Sequence, residues 1–356
     1  MRTLVVSDLH LGSRTDADVL RHEGARAALV AGLEGVDRLV LLGDVLELRH
    51  GPIPDALDAA APTLAAIGQA MAGRPVVLTA GNHDHALVAP WLERRSLRRE
   101  PPLGLEERAG PDASEATAAI AQLLAPAELD VAYPGLWLRE DVYATHGHYL
   151  DLHITIPTFE RLAVGVMRRV VGHGAPRSAE DYEAFLAPIY AWLAAVARST
   201  RTGFGAERQR GTQNAWRVLT ASGRRPLRAR AVAAAFPAAV LAINRLGLGP
   251  VGRDLSPSEL RRAGLQAMHA TVEALGVDAR WVLFGHTHRA GPFDRDDPAE
   301  WGRLMNSGSW VYEEVFLGAN PRRSPYWPGG AIELDDEPGS PPRRINLLAE
   351  WAPARA

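Results

Sequence analysis

Five short segments concentrate side chains able to hold a divalent cation: Asp8-Leu9-His10, Gly43-Asp44, Gly81-Asn82-His83-Asp84, His146-Gly147-His148 and Gly285-His286-Thr287-His288. They offer carboxylate, amide and imidazole donors. The chain has no cysteine, so thiolate ligands and disulfides are excluded. This mixed oxygen and nitrogen set suits Mn, Fe or Zn better than Mg, which prefers oxygen octahedra and retains its waters. Two such ions about 3.5–4 Å apart can neutralise charge on the attacking and leaving oxygens of a phosphate ester and deprotonate water near neutral pH. A carboxylate between them would hold the pair together.

Each block follows an apolar run that reads as a buried strand: Leu4-Val5-Val6, Leu39-Val40-Leu41-Leu42, Val76-Val77-Leu78, Val142-Tyr143-Ala144 and Trp281-Val282-Leu283-Phe284. Side chains at the carboxyl ends of several strands converge on one crevice in α/β sheets. Helical patterns over residues 18–33 and 55–71 alternate with the first strands, a β-α-β rhythm. Residues 98–116 are polar, with Pro101-Pro102 and Gly110-Pro111, and read as a loop leading to a short helix over 115–124. After residue 151 the strand signals stop. The segment 152–275 reads as mostly helical, with apolar stripes at Leu162, Val166 and Val170 and at Phe185, Ile189, Trp192 and Val196. Ser256 at N-cap, Pro257 at N1, Glu259 at N3 and a terminating Gly276 mark the helix that returns the chain to the fifth block. Short apolar stretches at 303–305, 310–315, 331–334 and 345–348 read as antiparallel strands completing a second sheet, with 335–344 a mobile loop. The expected division is a core of residues 1–151 and 276–356 with a helical cap over 152–275.

In this order, each behind a strand, the five blocks resemble the calcineurin-like metallophosphoesterases, whose pattern is D-x-H, G-D-x-x-[DE], G-N-H-[DE], a His and G-H-x-H. Asn306-Ser307-Gly308-Ser309 resembles the N-x-G-S turn that follows the last block, and the resemblance covers residues 1–151 and 276–312. It implies an α/β fold, a four-layer α-β-β-α metallophosphoesterase sandwich, here with a mainly helical insertion. It also implies two divalent metal ions, Mn first and Fe or Zn as alternatives. Asp44 would bridge them, with Asp8, His10 and His288 completing one ion and Asn82, His146 and His286 the other. His83 would touch the phosphoryl group or protonate the leaving oxygen, with Asp84 fixing its tautomer and Glu47 supporting the histidines. A hydroxide bridging the ions would attack phosphorus in line. Gly43, Gly81 and Gly285 would let the backbone turn sharply and approach the ions. His148 stays open between a ligand and a supporting or substrate-touching residue, and Arg14 between a phosphate contact and a solvated loop. His85 and His153 read as ordinary polar residues.

Sites of this family act on monoesters, diesters and pyrophosphates, so the chemistry does not name the substrate. The compact start, G-D-x-x-E and helical insertion look most similar to the UDP-diacylglucosamine pyrophosphohydrolases, whose helical cap holds acyl chains. This chain departs from them with Gly-Asn-His-Asp for Gly-Asn-Arg-Asp, His-Gly-His for His-Gly-Asp, and a much larger insertion. A phosphorylated small-molecule or lipid-linked substrate is the first reading. A nucleotide phosphodiesterase and a non-catalytic metal-binding scaffold are the alternatives, the second disfavoured by the complete ligand set.

Bulk properties bound the partners. The 356 residues, 47% apolar, can bury one large core or two smaller ones. The formal net charge is only −3, but residues 152–275 carry 17 Arg against 8 acidic residues, net +9. Every one of the 39 basic residues is Arg. Nine Arg and a single Glu between 198 and 230 suit a phosphate-rich or anionic-lipid partner, or simply a solvated helical face. The apolar stretches 162–171 and 231–248 would line an acyl pocket, touch an anionic membrane surface or form the core of the cap. The cap lacks the dense aromatic and basic alternation of stacking platforms, which disfavours nucleic acid. The stretch 231–244 is shorter than the roughly 20 residues of a spanning helix and contains Pro237, so no transmembrane span is expected. The amino terminus shows no secretory signal, and cytoplasm is the expected location.

Overall fold

Alternation along the strands decides the layers. In β1 (Thr3–Val6), Leu4 and Val6 point to one side and Val5 to the other. In β2 (Arg38–Leu42), Leu39 and Leu41 oppose Val40 and Leu42; in β3 (Pro75–Thr79), Val76 and Leu78 oppose Val77. Both faces of these strands are therefore buried, which is why they read as unbroken apolar runs. One face meets α1 (Glu23–Gly32), α2 (Ile53–Ala70) and, beyond α3 (Ala89–Leu97) and β4 (Glu106–Arg108), α4 (Glu115–Leu124), through Leu29, Leu64, Ile67 and Ile120. The other face meets strands. The twelve-residue β5 (Glu128–Arg139) pairs in parallel with β3 through residues 128–131, then antiparallel with β6 (Val142–Thr145) through residues 135–139. The sheet turns over itself along this strand. Leu136, Leu138, Ala144, Leu283 and Met305 of the second half thus pack against Val5, Val40 and Val77 of the first.

The structure, a computed structural model, describes residues 1–156, 159–171, 174–199, 207, 227–252, 254, 256–292 and 301–353. Helices α5 (Phe159–Val171), α6 (Ala179–Ser199), α7 (Leu227–Arg245) and α8 (Pro257–Ala274) precede β7 (Trp281–Phe284) and β8 (Leu304–Asn306). The short α9 (Glu314–Leu317), β9 (Gly330–Leu334) and β10 (Arg343–Asn346) complete the chain. Strand order is β10-β9-β1-β2-β3-β5-β6-β7-β8, with β4 on the flank of β5. Ala267, Met268 and Val272 of α8 cover the outer face of the second half against Tyr143, Val282 and Phe284. The layers are α-β-β-α, the expected sandwich. Although α8 lies within residues 152–275, its apolar face is buried on the second sheet. Ser256 caps it as the sequence indicates, accepting from the N–H of Glu259 at 3.3 Å.

Several local expectations are corrected. The sequence shows no sign of β5, because Pro134 interrupts it and Glu128 and Asp130 break the apolar run. Residues 310–315 are not a strand: Trp310 is a fully buried plug whose indole donates to the Gly330 carbonyl at 3.1 Å, and Val311 makes only an isolated bridge to Asp18. β8 runs parallel to β7, and β9 and β10 extend the first half of the sheet beside β1. The loop after β9 is tied down by Arg139, which donates to the carbonyls of Asp335, Glu337 and Ser340 at 2.7–2.9 Å. Within residues 152–275, Val166 and Trp192 are half exposed, while Val164, Tyr182, Leu186, Tyr190 and Leu193 face inward with Phe185 and Ile189. The side chains of the nine-arginine stretch lie outside the described residues. No helix among the described residues is long and apolar enough to cross a membrane.

Candidate metal centre

The five blocks leave the carboxyl ends of β1, β2, β3, β6 and β7 and meet at one edge of the sandwich. Their backbone is strained where they meet. Of the seven non-glycine residues with positive φ among the described residues, five are Asp8, His10, Asp44, His286 and His288. Each such conformation costs about 1–3 kcal/mol and persists only where the surroundings over-determine it. Here they do: Asp8 N–H donates to the Gly43 carbonyl, His10 N–H to that of Asp44, Gly285 N–H to that of His146, and Trp310 N–H to that of Asp8, at 2.9–3.1 Å. The Asn306 side chain donates to the Gly285 carbonyl at 2.6 Å and Ser307 hydroxyl meets that of Ser7 at 2.7 Å, so the N-x-G-S turn clamps the fifth block onto the first. Gly43 has φ of 83°, and a Cβ there would sit 2.5 Å from the His146 ring; Gly81 and Gly285 have room for no Cβ against Asp44 and Asp8. Only the first of the three is needed for its turn, the other two for space.

The donor atoms form three overlapping groups, Asp8 with His10 and His288, Asp44 with His146 and His286, and between them Asp44 with His10 and His83. His288 Nε2 lies 3.3 Å from Asp8 Oδ1 and 3.1 Å from His10 Nε2, which is 3.7 Å from Asp44 Oδ2. On the other side of Asp44, its Oδ2 is 3.3 Å from His146 Nε2, which is 3.3 Å from Asn82 Oδ1, itself 3.1 Å from His286 Nδ1. Three of these rings are oriented from behind. His10 Nδ1 meets Glu47 Oε2 at 3.1 Å, His146 Nδ1 the Leu42 carbonyl at 2.9 Å, and His286 Nε2 Asp151 Oδ1 at 3.0 Å. With the proton held on the outer nitrogen, each inner nitrogen presents a lone pair.

The arrangement is repulsive without a cation. Asn82 Oδ1 faces the inner nitrogens of His146 and His286 and sits 3.2 Å from Asp44 Oδ2; turned around, the amide oxygen would instead accept from the Arg49 guanidinium at 3.1 and 3.2 Å. An ion held among these atoms would favour the inward oxygen. Asp8 Oδ1, wholly buried, likewise has no hydrogen-bond partner among the described residues, while Oδ2 accepts from Ser7 hydroxyl and, at 3.0 Å, from His286 N–H. Burial works to raise the pKa of Asp44, but His146 and His83 hold it well below the usual carboxylate range. Burial likewise opposes protonation of the imidazoles, yet Glu47, Asp44 and Asp8 raise His10 to about 9, and Asp44 and Asp8 raise His146 to about 10. Protons thus take the cation's place. The residues fit divalent ions.

The expected partner of His83 is corrected. Its Nδ1 meets Glu47 Oε2 at 2.7 Å, not Asp84. Asp84 is wholly buried and accepts four backbone N–H groups, from Gly81 and Val45 at 2.7 Å and from Asp44 and Leu46 at 3.3 Å, bracing the second and third blocks against each other. Burial and the Asp44 charge push its carboxyl up to about 6, against the pull of those donors. Burial lowers His83 to about 4, with Glu47 opposing; a quarter of its side chain remains open to solvent, as for His288. Arg14 pairs with Asp55 of α2 at 2.7 Å.

A family comparison matches the calcineurin-like phosphoesterases over residues 1–194, through the first four blocks and into α6. The chain belongs to the calcineurin-like phosphoesterases. It is a metal-dependent phosphoric ester hydrolase, with clustered Asp and His side chains as its candidate ligands. A search of curated protein sequences finds no match.

Around this phosphoesterase centre lie residues no motif pointed to, Glu183 first among them, together with His85, His148 and His153. Glu183 of α6 is buried and accepts from the hydroxyls of Tyr133 and, at 2.6 Å, Tyr149, and meets His85 Nε2 at 3.0 Å. His148 is buried beside it, with Nε2 3.3 Å from the Tyr133 hydroxyl and its ring 5.6 Å from that of His146; burial and the neighbouring His146 hold it well below its usual pKa. His153 Nε2 meets the Tyr182 hydroxyl at 2.6 Å. Arg49 lies over the Tyr190 ring, 5.4 Å from its centroid, so α6 also reaches the residue beside Asn82. His85 and Glu183 are separated by 98 residues, and only the packed structure brings them together.

Proposed function

We propose that this phosphoesterase works with two divalent ions, Mn in the first instance, and hydrolyses a phosphate ester or pyrophosphate on a small or lipid-linked molecule. The observation that carries the reading is the position of Asp44, whose Oδ2 lies between the His10 side and the His146 side while Oδ1 is pinned by His83 N–H at 2.7 Å. Bound there, the ions would supply charge neutralisation and an acidified water. In this reading Asp8, His10 and His288 hold one ion and Asn82, His146 and His286 the other, with Asp44 serving both. His83 donates its Nδ1 proton to Glu47, and a second proton on Nε2, favoured by Glu47 and a bound substrate phosphate, would be the one passed to the leaving oxygen. Asp84 acts on the loops that carry Asp44 and Asn82, a supporting part and not the catalytic one expected.

The sandwich supplies this chemistry, and the helices between the fourth and fifth blocks select the substrate. Support comes from Val166, Trp192, Leu241 and Leu246, large apolar side chains exposed on α5, on α6, on α7 and just beyond it. That surface favours a lipid-linked substrate, or contact with an anionic membrane from a cytoplasmic location, over a nucleotide diester. The direct test is an aryl phosphate assay on metal-free protein verified by elemental analysis. Activity should vanish with the metal and return with about two equivalents of Mn; undiminished hydrolysis by metal-free protein refutes the two-ion reading. Parallel assays on monoesters, diesters and nucleotide-linked lipids then rank the substrates.

A further inference from the structure

Asp151 belongs to none of the sequence blocks, yet its Oδ1 lies 3.0 Å from Nε2 of His286, 135 residues away. It sits on the 3₁₀ turn His148–Leu152, directly after the fourth block. That turn is fixed on both sides: Leu150 packs with α8 under the second sheet, while Tyr149 and Leu152 enter the main core. The carboxylate is buried, and among the described residues its Oδ2 has no hydrogen-bond partner. A buried carboxylate with one donor is costly unless positive charge lies close by. On the far side of the imidazole is such a place: His286 Nδ1 is 3.1 Å from Asn82 Oδ1, on the side where Asp44 and His146 converge. A carboxylate behind a ligating imidazole holds the ring's tautomer and rotation and makes its inner nitrogen a better donor.

We propose that Asp151 is a positioning residue of the centre: it accepts the Nε2 proton of His286 and so presents Nδ1 to the ion held with Asp44, Asn82 and His146. The inference rests on the two-ion reading above. It separates the two halves of the site. An ion held by Asp8, His10 and His288 would not use His286, the residue Asp151 touches, so loss of the carboxylate should act on one ion only.

The test is a stepwise Mn titration of the full chain, followed by electron paramagnetic resonance of the Mn pair, for wild type, Asp151→Asn, Asp151→Ala and His286→Ala. Asp151→Ala should weaken one ion by about 10–100-fold and leave the other at its wild-type affinity. Asp151→Asn keeps an acceptor oxygen for Nε2 and should fall between, which also guards against a variant that does not fold. In both, kcat on an aryl phosphate should recover at saturating Mn with KM unchanged, whereas a loss of fold would not be repaired by the ion. Wild-type affinities for both ions in Asp151→Ala, or equal weakening of both, overturn the proposal. If His286→Ala itself keeps both ions at full affinity, His286 is no ligand and the proposal falls with it; if wild type takes up a single ion, the two-ion reading fails instead, independently of Asp151.

Discussion

Replacing Glu47 by Gln isolates the one carboxylate that serves both a candidate ligand and the candidate acid. Its Oε2 accepts from His10 Nδ1 at 3.1 Å and His83 Nδ1 at 2.7 Å, and its Oε1 accepts from the Arg49 N–H at 3.0 Å, the carboxylate itself being out of water. Gln has the same shape but only one oxygen. If that oxygen stays with the imidazoles, two charge-assisted bonds become neutral, each losing about 1 kcal/mol, and the Arg49 N–H faces an amide donor at a cost of about 1–3 kcal/mol. If the amide turns round, both imidazoles lose their acceptor and shift their protons to Nε2, the atom that His10 must offer to an ion. The first state is the cheaper, so a total loss of about 3–5 kcal/mol should be divided between folding, metal affinity and turnover. We expect metal-free Glu47→Gln to unfold at lower urea, to bind the first ion about 10–100-fold more weakly, and to retain a turnover deficit when saturated with Mn, because His83 has lost its anionic partner. Urea titration, Mn titration and aryl phosphate turnover at saturating metal measure the three separately. Wild-type turnover at saturating Mn would refute the assignment of Glu47 as the residue that orients His83.

Asp44→Asn should lose bound metal and activity together, whereas His83→Asn should keep its metal and lose about 10²–10⁴-fold in kcat, most for poor leaving groups; metal loss in His83→Asn, read by elemental analysis, would move that residue among the ligands. Asp84→Asn sets an amide NH₂ against two of four backbone donors and should cost about 3–6 kcal/mol in urea unfolding, while Asp84→Ala with unchanged stability would remove its bracing role. The pH response of the metal-free protein has a defined sign. His10 at about 9 and His146 at about 10 are raised above the unfolded value of 6.5, so their charged forms contribute stability that is full below pH 6.5 and lost as pH rises through 9 and 10. The thermal unfolding temperature should therefore fall toward pH 10 without metal. Mn binding at pH 7.5 should release about two protons, measurable by calorimetry in buffers of different ionisation enthalpy, and binding without proton release would contradict it.

Much of the centre was legible in the chain because strand ends deliver side chains locally. An apolar run followed by Asp-x-His or Gly-His-x-His needs no knowledge of the rest of the molecule to be read as a strand ending in donors, and five such blocks constrain one another. Glu47 was also within reach, three residues beyond Asp44 in the same block. Asp84 was misread by the same proximity: adjacent to His83 in sequence, it points back into the loops, because the turn after β3 sends alternate side chains to opposite sides. Asp151 and Glu183 carry no local signal, since what each does depends on a partner 135 or 98 residues away. The same holds for the sheet. Alternation told which residues are buried, but the placement of β9 and β10 beside β1, and the turning of the sheet along β5, follow from which apolar faces find each other once the chain collapses. Sequence periodicity specifies a face. Only packing decides what covers it.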